Sequence, residues 1–235
     1  MISGVRIKCF GISNGFRTPL SQSVQDTLPL PTPTQLIGLL GAAAGIPRSA
    51  MPGIYSKFKV GIMGTHATTY QDLTKIVKYA ARGKIKNPQN PTSLLIRENL
   101  FNSEFIIWYL PVADISVSQT LEFFQNPKYA LSLGRDDEIV RIDEVRVVNF
   151  KEVENAVIHD TVVPFAMDPR SEKIIDSGDI MIPLVPIELP RSFTVNSNNV
   201  RNPMDFKEYT FVEGYKVQTT RNGALDDEGR QFFPL

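Results

Sequence analysis

The chain has 235 residues, with 25 basic and 25 acidic side chains and a formal net charge of zero. That length supports one sizeable core, or a core domain with a smaller appendage, while the neutral total excludes the strongly basic character of a free-standing nucleic-acid binder. No apolar run reaches the roughly 18 residues of a membrane span, the first residues lack a signal peptide's basic-then-apolar order, and the single cysteine excludes an internal disulfide or a multi-cysteine zinc site, so the sequence reads as a soluble, cytoplasmic protein without a membrane partner.

Val5, Ile7 and Cys9 alternate with Arg6, Lys8 and Phe10, which predicts a half-buried first strand and makes Cys9 a core thiol. Residues 18–31 hold three prolines among Ser, Thr and Gln and read as an extended loop. Thr32-Pro33-Thr34-Gln35 then combines an N-cap threonine, a proline at the first helical position and a capping-box glutamine. Leu36, Leu39, Leu40 and Ala43 build one apolar stripe, and Gly45 and Pro47 stop the helix. Gly38, Gly41 and Ala42 are expected to let that helix lie close to a sheet.

A strand is predicted around Phe58 to Gly64, followed by a long excursion over residues 71–97 that mixes basic residues with Gly83, Pro88, Asn90 and Pro91. Phe105 to Leu110 is a continuous β-prone run, fitting a strand buried on both faces. Ser116 to Gln125 reads as a second helix ended by Asn126-Pro127, with Val117, Leu121 and Phe124 inward. Leu131 and Leu133 predict a short strand before Gly134, and Val140, Ile142, Val145 and Val147 further extended structure. The order is β-α-β-β-α-β, that of a ferredoxin-like α+β domain. The expected division is 1–155 for that domain, with an insertion over about 66–97, and 156–235 for a β-rich extension.

The charge is unevenly spread. From Ser56 to Arg97 the basic residues are Lys57, Lys59, Lys75, Lys78, Arg82, Lys84, Lys86 and Arg97, against Asp72 alone. From Asp136 to Asp160 acids dominate. Solvated faces would account for both runs, but two segments of opposite sign also suit two different neighbours. Lys75, Lys78, Arg82, Lys84 and Lys86 recur every two to four residues, a spacing that lets several face one strand of phosphates. Tyr70 and Tyr79 lie in or beside the same stretch and offer faces for stacking on unpaired bases.

Motifs for other chemistry are missing from the sequence: there is no P-loop, Rossmann glycine pattern, zincin motif or nucleophile elbow. His66 and His159 are far apart in the chain, so a metal site is not expected, nor is any cofactor. Asp136-Asp137-Glu138 follow Gly134-Arg135, where acids are common in turns. His66 is the candidate acid or base if the chain cuts RNA.

Three stretches resemble motifs of CRISPR-associated protein family five, in the right order over roughly residues 1–150. Leu28-Pro29-Leu30-Pro31-Thr32-Pro33-Thr34-Gln35-Leu36-Ile37-Gly38-Leu39-Leu40-Gly41-Ala42 resembles its N-terminal signature. Arg97-Glu98-Asn99-Leu100-Phe101-Asn102-Ser103-Glu104-Phe105 resembles its middle motif, and Leu131-Ser132-Leu133-Gly134-Arg135-Asp136-Asp137-Glu138-Ile139-Val140 its glycine-arginine-acid motif. The resemblance implies the RAMP superfamily and a subunit of the type I antiviral surveillance complex, Cascade. Such a subunit caps the 5′ handle of the guide RNA and touches the backbone and large subunits, with target DNA near the PAM as a further implied partner. The insertion over 66–97 would be its thumb, and Phe16, Arg17, Arg48 and Arg135 would lie near the handle. A catalytic branch of the family uses a tyrosine with a lysine-histidine pair, and this sequence has no Lys-His dipeptide. The resemblance therefore implies an RNA-binding subunit without catalysis. The alternative is a metal-independent endoribonuclease acting on precursor guide RNA through His66, Tyr70 and a thumb lysine.

Overall fold

The computed structural model describes residues 2–19, 21, 24–77, 92–112, 115–167, 172–177 and 184–235. Among them the chain forms a β-rich, curled antiparallel sheet with two α-helices. The central strands are β1 (Ile2–Asn14), β3 (Phe58–Val77), β4 (Thr92–Pro111) and β5 (Val140–Val153), lying side by side in the order β5-β1-β4-β3. A two-residue strand, β2 (Val24–Gln25), pairs parallel to β4 at Ile96 and Arg97.

The first helix, α1 (Pro33–Ala44), forms where its caps place it. The Thr32 hydroxyl accepts the Gln35 N–H, and the Gln35 side chain accepts the Thr32 N–H at 2.8 Å. Gly45 closes the helix in the left-handed region at φ 72°, which a side chain would strain. Leu36, Ile37, Leu39, Leu40 and Ala43 are buried against Val5, Ile7, Cys9, Val60, Ile62, Ile107 and Tyr109 of the sheet. The Tyr109 hydroxyl donates to the Leu36 carbonyl at 2.8 Å, so a buried phenol is satisfied inside this layer. The second helix, α2 (Val117–Gln125), is capped by Ser116 and packs Phe124 onto the Tyr109 ring at 4.9 Å.

Two local expectations are corrected. Gly38 does not lie against the sheet: a Cβ there would meet nothing within 4 Å, and at Gly41 it would run into Met51. Leu131 and Leu133 do not form a strand. Ser132 and Ile139 make one isolated bridge, because the chain turns back at Gly134 before a ladder can grow.

The opposite face of the sheet is covered from the far end of the chain. Strands β10 (Gly223–Leu225) and β11 (Gln231–Phe232) extend the sheet beyond β5. Phe232 stacks on Trp108 at 4.1 Å with the rings 2° from parallel. Trp108 donates its indole N–H to Asp226 at 3.3 Å, and Met63, Val148 and Phe150 complete this second layer. This is why Phe105 to Leu110 reads as one apolar run: alternate side chains enter two cores.

On the far side of β3 lie β6 (Val157–Val163), β7 (Lys173–Ser177), β8 (Pro186–Val195) and β9 (Arg201–Gln218), in which β9 pairs with the other three. Ile158, Val163, Val212, Val217 and Phe233 make a further cluster there. Among the described residues no helix is long and apolar enough to cross a membrane.

Cys9 is fully buried, and burial pushes its thiol up to about 12. The native protein should therefore resist a thiol reagent at pH 8 and react with one equivalent only after unfolding in denaturant. Rapid labelling of the native form would mean that β1 opens locally.

Candidate nucleic-acid interface

The β3–β4 hairpin is built in two parts. From Phe58 to Met63, β3 is largely buried, and beyond Gly64 most of its residues are exposed. Pairing nevertheless continues in one register, with a single gap at Ala67, to Val77 opposite Thr92. The arms thus leave the core as a ribbon, carrying Tyr70 and Lys75 on β3 and Arg97 on β4. Lys75 is exposed. Tyr70 is 39% exposed, bonds Ser13 through its hydroxyl at 2.7 Å and meets Phe101 edge-on at 6.3 Å. Arg97 is half-buried opposite Asp72. Lys78, Tyr79, Arg82, Lys84 and Lys86 lie outside the described residues.

One face of the ribbon is apolar, which the charge reading did not foresee. Leu73 pairs with Ile96, Lys75 with Leu94 and Val77 with Thr92, so these side chains share a face. Leu73, Leu94, Val77 and Ile96 are all exposed there. In the sequence Leu94 and Ile96 flank Leu95 and Val77 follows Ile76, so no clean alternation marked this face and its residues were absorbed into the basic run.

At the root of the hairpin the three motif stretches come together. The third motif closes a tight loop through Leu133 N–H to Glu138 O at 3.0 Å and Val140 N–H to Leu131 O at 2.9 Å. Gly134 turns it at φ 115°, a conformation side chains resist. Buried Glu138 accepts the Arg135 N–H at 2.6 Å and faces its guanidinium at 2.6 Å. Arg135 also donates to Asn99 of the middle motif at 2.6 Å. Asn14, at the end of β1, donates to the Leu133 carbonyl at 2.8 Å. Thr27, just before the first motif, donates its N–H to Glu98 at 3.1 Å. Asn99 and Glu138 appeared in the sequence only as members of their motifs, Glu138 as one of three turn acids, and neither they nor Asn14 were assigned a place in the site.

Two expected RNA contacts take different roles here. Phe16 is fully buried, with its ring edge-on to Phe105 at 5.8 Å, so it belongs to the core and offers no face to a base. Arg135 spends its guanidinium on Glu138 and Asn99 rather than standing free. Arg17 is exposed and donates to the Ser21 carbonyl at 3.0 Å, and Arg48 is exposed just past α1.

The acidic segment is also partly internal. Glu138 serves Arg135, Asp143 pairs with Arg141, and Glu144 lies 2.7 Å from buried Arg6. Burial pushes the Glu138 carboxyl up from its usual range, against the pull of the Arg135 and Gly15 N–H groups and the Arg135 charge. Its ionisation therefore works against folding as pH rises through the folded value. Arg135→Ala should cost about 3 kcal/mol near neutral pH by stranding that charge. Below the ordinary carboxylate range, where Glu138 is protonated in both states, the loss should shrink. Denaturant melts at pH 7 and about pH 3, below the usual carboxylate range, check this, and equal losses at both would contradict it.

The two histidines, distant in sequence, reach one neighbourhood. His66 Nδ1 lies 3.4 Å from Glu213, and His159 lies 3.1 Å from Asp160 beside the β6–β9 bulge. Tyr70 is four residues along β3 from His66, or about 13 Å. Among the described residues no group of three or more His, Cys, Asp or Glu has the geometry to hold a metal ion.

No family model matches the sequence, and no curated protein does. Among solved structures the chain is similar to one from a CRISPR RNA-guided surveillance complex, with TM-score 0.56 and 15% identity over 92% of this chain and 91% of that one. It is also similar to a CRISPR protein from Archaeoglobus fulgidus, with TM-score 0.50 and 9% identity over 100% and 99%. The fold is thus one found in CRISPR-associated proteins, as the motif resemblance led us to expect.

Proposed function

We propose that the chain is a non-catalytic RNA-binding subunit of a type I CRISPR surveillance complex, of family five, that holds the 5′ handle of the guide RNA. The observation that carries this is the β3–β4 ribbon, which leaves the core bearing Tyr70 and Lys75 and leads into the most basic stretch of a neutral chain. Such an arm can lie along a single strand and neutralise its phosphates. The apolar strip of Leu73, Val77, Leu94 and Ile96 suits a neighbouring protein surface, fitting contacts with the backbone and large subunits. Target DNA near the PAM is a further partner in this reading.

The order β5-β1-β4-β3, with α1 leading to β3 and α2 leading to β5, supports a ferredoxin-like domain over residues 1–155. Residues 156–235 then form the β-rich extension that carries the covering Phe232.

Catalysis is disfavoured by the partners these groups already have. His66 faces Glu213 at 3.4 Å, and the Tyr70 hydroxyl is hydrogen-bonded to Ser13 at 2.7 Å. Purified protein incubated with CRISPR repeat RNA in a chelator should bind the RNA and leave it full length. Cleavage that His66→Ala abolishes would instead establish the endoribonuclease.

A further inference from the structure

We propose that a pocket between α1 and the β8–β9 hairpin receives one unpaired nucleotide of the bound RNA, its base against aromatic rings and its phosphate on Arg48 and Arg201. The inference rests on the RNA-binding reading and names a place where a base is held apart from the ribbon.

The cavity measures about 290 Å³ and takes its walls from distant parts of the chain. Gly38 of α1 forms part of its floor, and Arg48 and Tyr55 come from the 3-10 turns that follow the helix. Tyr129 comes from the segment after α2, Phe193 from β8 and Arg201 from β9. Tyr55 and Phe193 lie 6.3 Å apart, and the Arg201 guanidinium sits over the Phe193 ring at 5.7 Å. Tyr129 is 61% exposed at the rim. No carboxylate lines the pocket.

Each feature matches a nucleotide. Aromatic faces accept any base. Arginine pairs with phosphate and stacks on rings. The lining, with two cations and no acid, complements an anion. Gly38 adds an independent sign. A glycine within a helix destabilises it relative to alanine, and no neighbouring atom requires one, since a Cβ would meet nothing within 4 Å. What glycine preserves is room: a side chain at 38 would project into the space the base needs.

The test uses a fluorescent eight-nucleotide single-stranded RNA and an abasic ribose-phosphate chain of equal length. Wild type should prefer the base-bearing strand. Gly38→Leu should melt no lower than wild type and bind the RNA about tenfold or more weakly, the loss of about one stacked base. Arg48→Ala with Arg201→Ala removes one phosphate contact and should lower the slope of log affinity against log salt by about 0.7. If Gly38→Leu fails to fold, Tyr129→Ala, at an exposed position, makes the same comparison. Wild-type affinity in the filled variant, or equal binding of the abasic chain, would overturn the pocket and leave the RNA-binding reading standing. A wild type that binds neither strand would overturn both.

Discussion

Replacing Leu36 by aspartate should abolish soluble expression. Leu36 is fully buried at the centre of the stripe by which α1 meets the sheet, and its carbonyl accepts the buried Tyr109 hydroxyl. Losing its burial alone removes about 1.5–3 kcal/mol. The larger effect is the new carboxylate, which would enter a layer of Val5, Ile7, Ile107 and Tyr109 with no cation among them. The effective penalty for an unpaired buried ion is several kcal/mol, and a domain's whole stability is only about 5–15 kcal/mol. Leu36→Met keeps the volume and apolarity and should cost less than about 1.5 kcal/mol. The comparison is soluble yield and thermal melting of the two variants. Normal yield with a cooperative melt for Leu36→Asp would contradict the packing of α1.

How much of the fold the sequence revealed depended on how local its cause was. The first helix was legible to its caps because Thr32, Pro33, Gln35 and Gly45 act within a few residues of one another. The apolar run in β4 announced burial on both faces, but not by what. One cover, Phe232, arrives from 124 residues after Trp108, and no local pattern predicts such a partner. The length of β3 was underestimated for the opposite reason. Beyond Gly64 it is exposed, and a ribbon supported mainly by its own partner strand carries no hydrophobic alternation strong enough to read.

The site was legible as motifs and illegible as contacts. The three stretches were recognisable taken together and in order, yet their meeting through Glu138, Arg135, Asn99 and Asn14 is tertiary. Phe16 was assigned to RNA by its position just past the first strand, as the family resemblance implied, whereas its neighbour in space is Phe105. Net charge along the chain misled in the same way. The acidic run lost part of its meaning once Glu144 was seen to serve Arg6, a pair separated by 138 residues.

The ribbon as an RNA grip is the centre of the account. Lys75 stands exposed on β3, and Lys78, Arg82, Lys84 and Lys86, which lie outside the described residues, follow it in sequence. If about three of the five contact phosphates of single-stranded RNA, replacing all five with alanine should lower the slope of log affinity against log salt by about two. Near 0.1 M salt that amounts to about a hundredfold in affinity, whereas exposed lysines contribute little to folding. Because a CRISPR complex reads its target by guide pairing, assembled yield should fall while target choice stays the same. The decisive measurement is repeat-RNA binding by wild type and the five-alanine variant across a salt series, with calorimetry on both. A shallower slope with an unchanged melting temperature is expected; an unchanged slope and affinity would contradict the ribbon's role in gripping RNA.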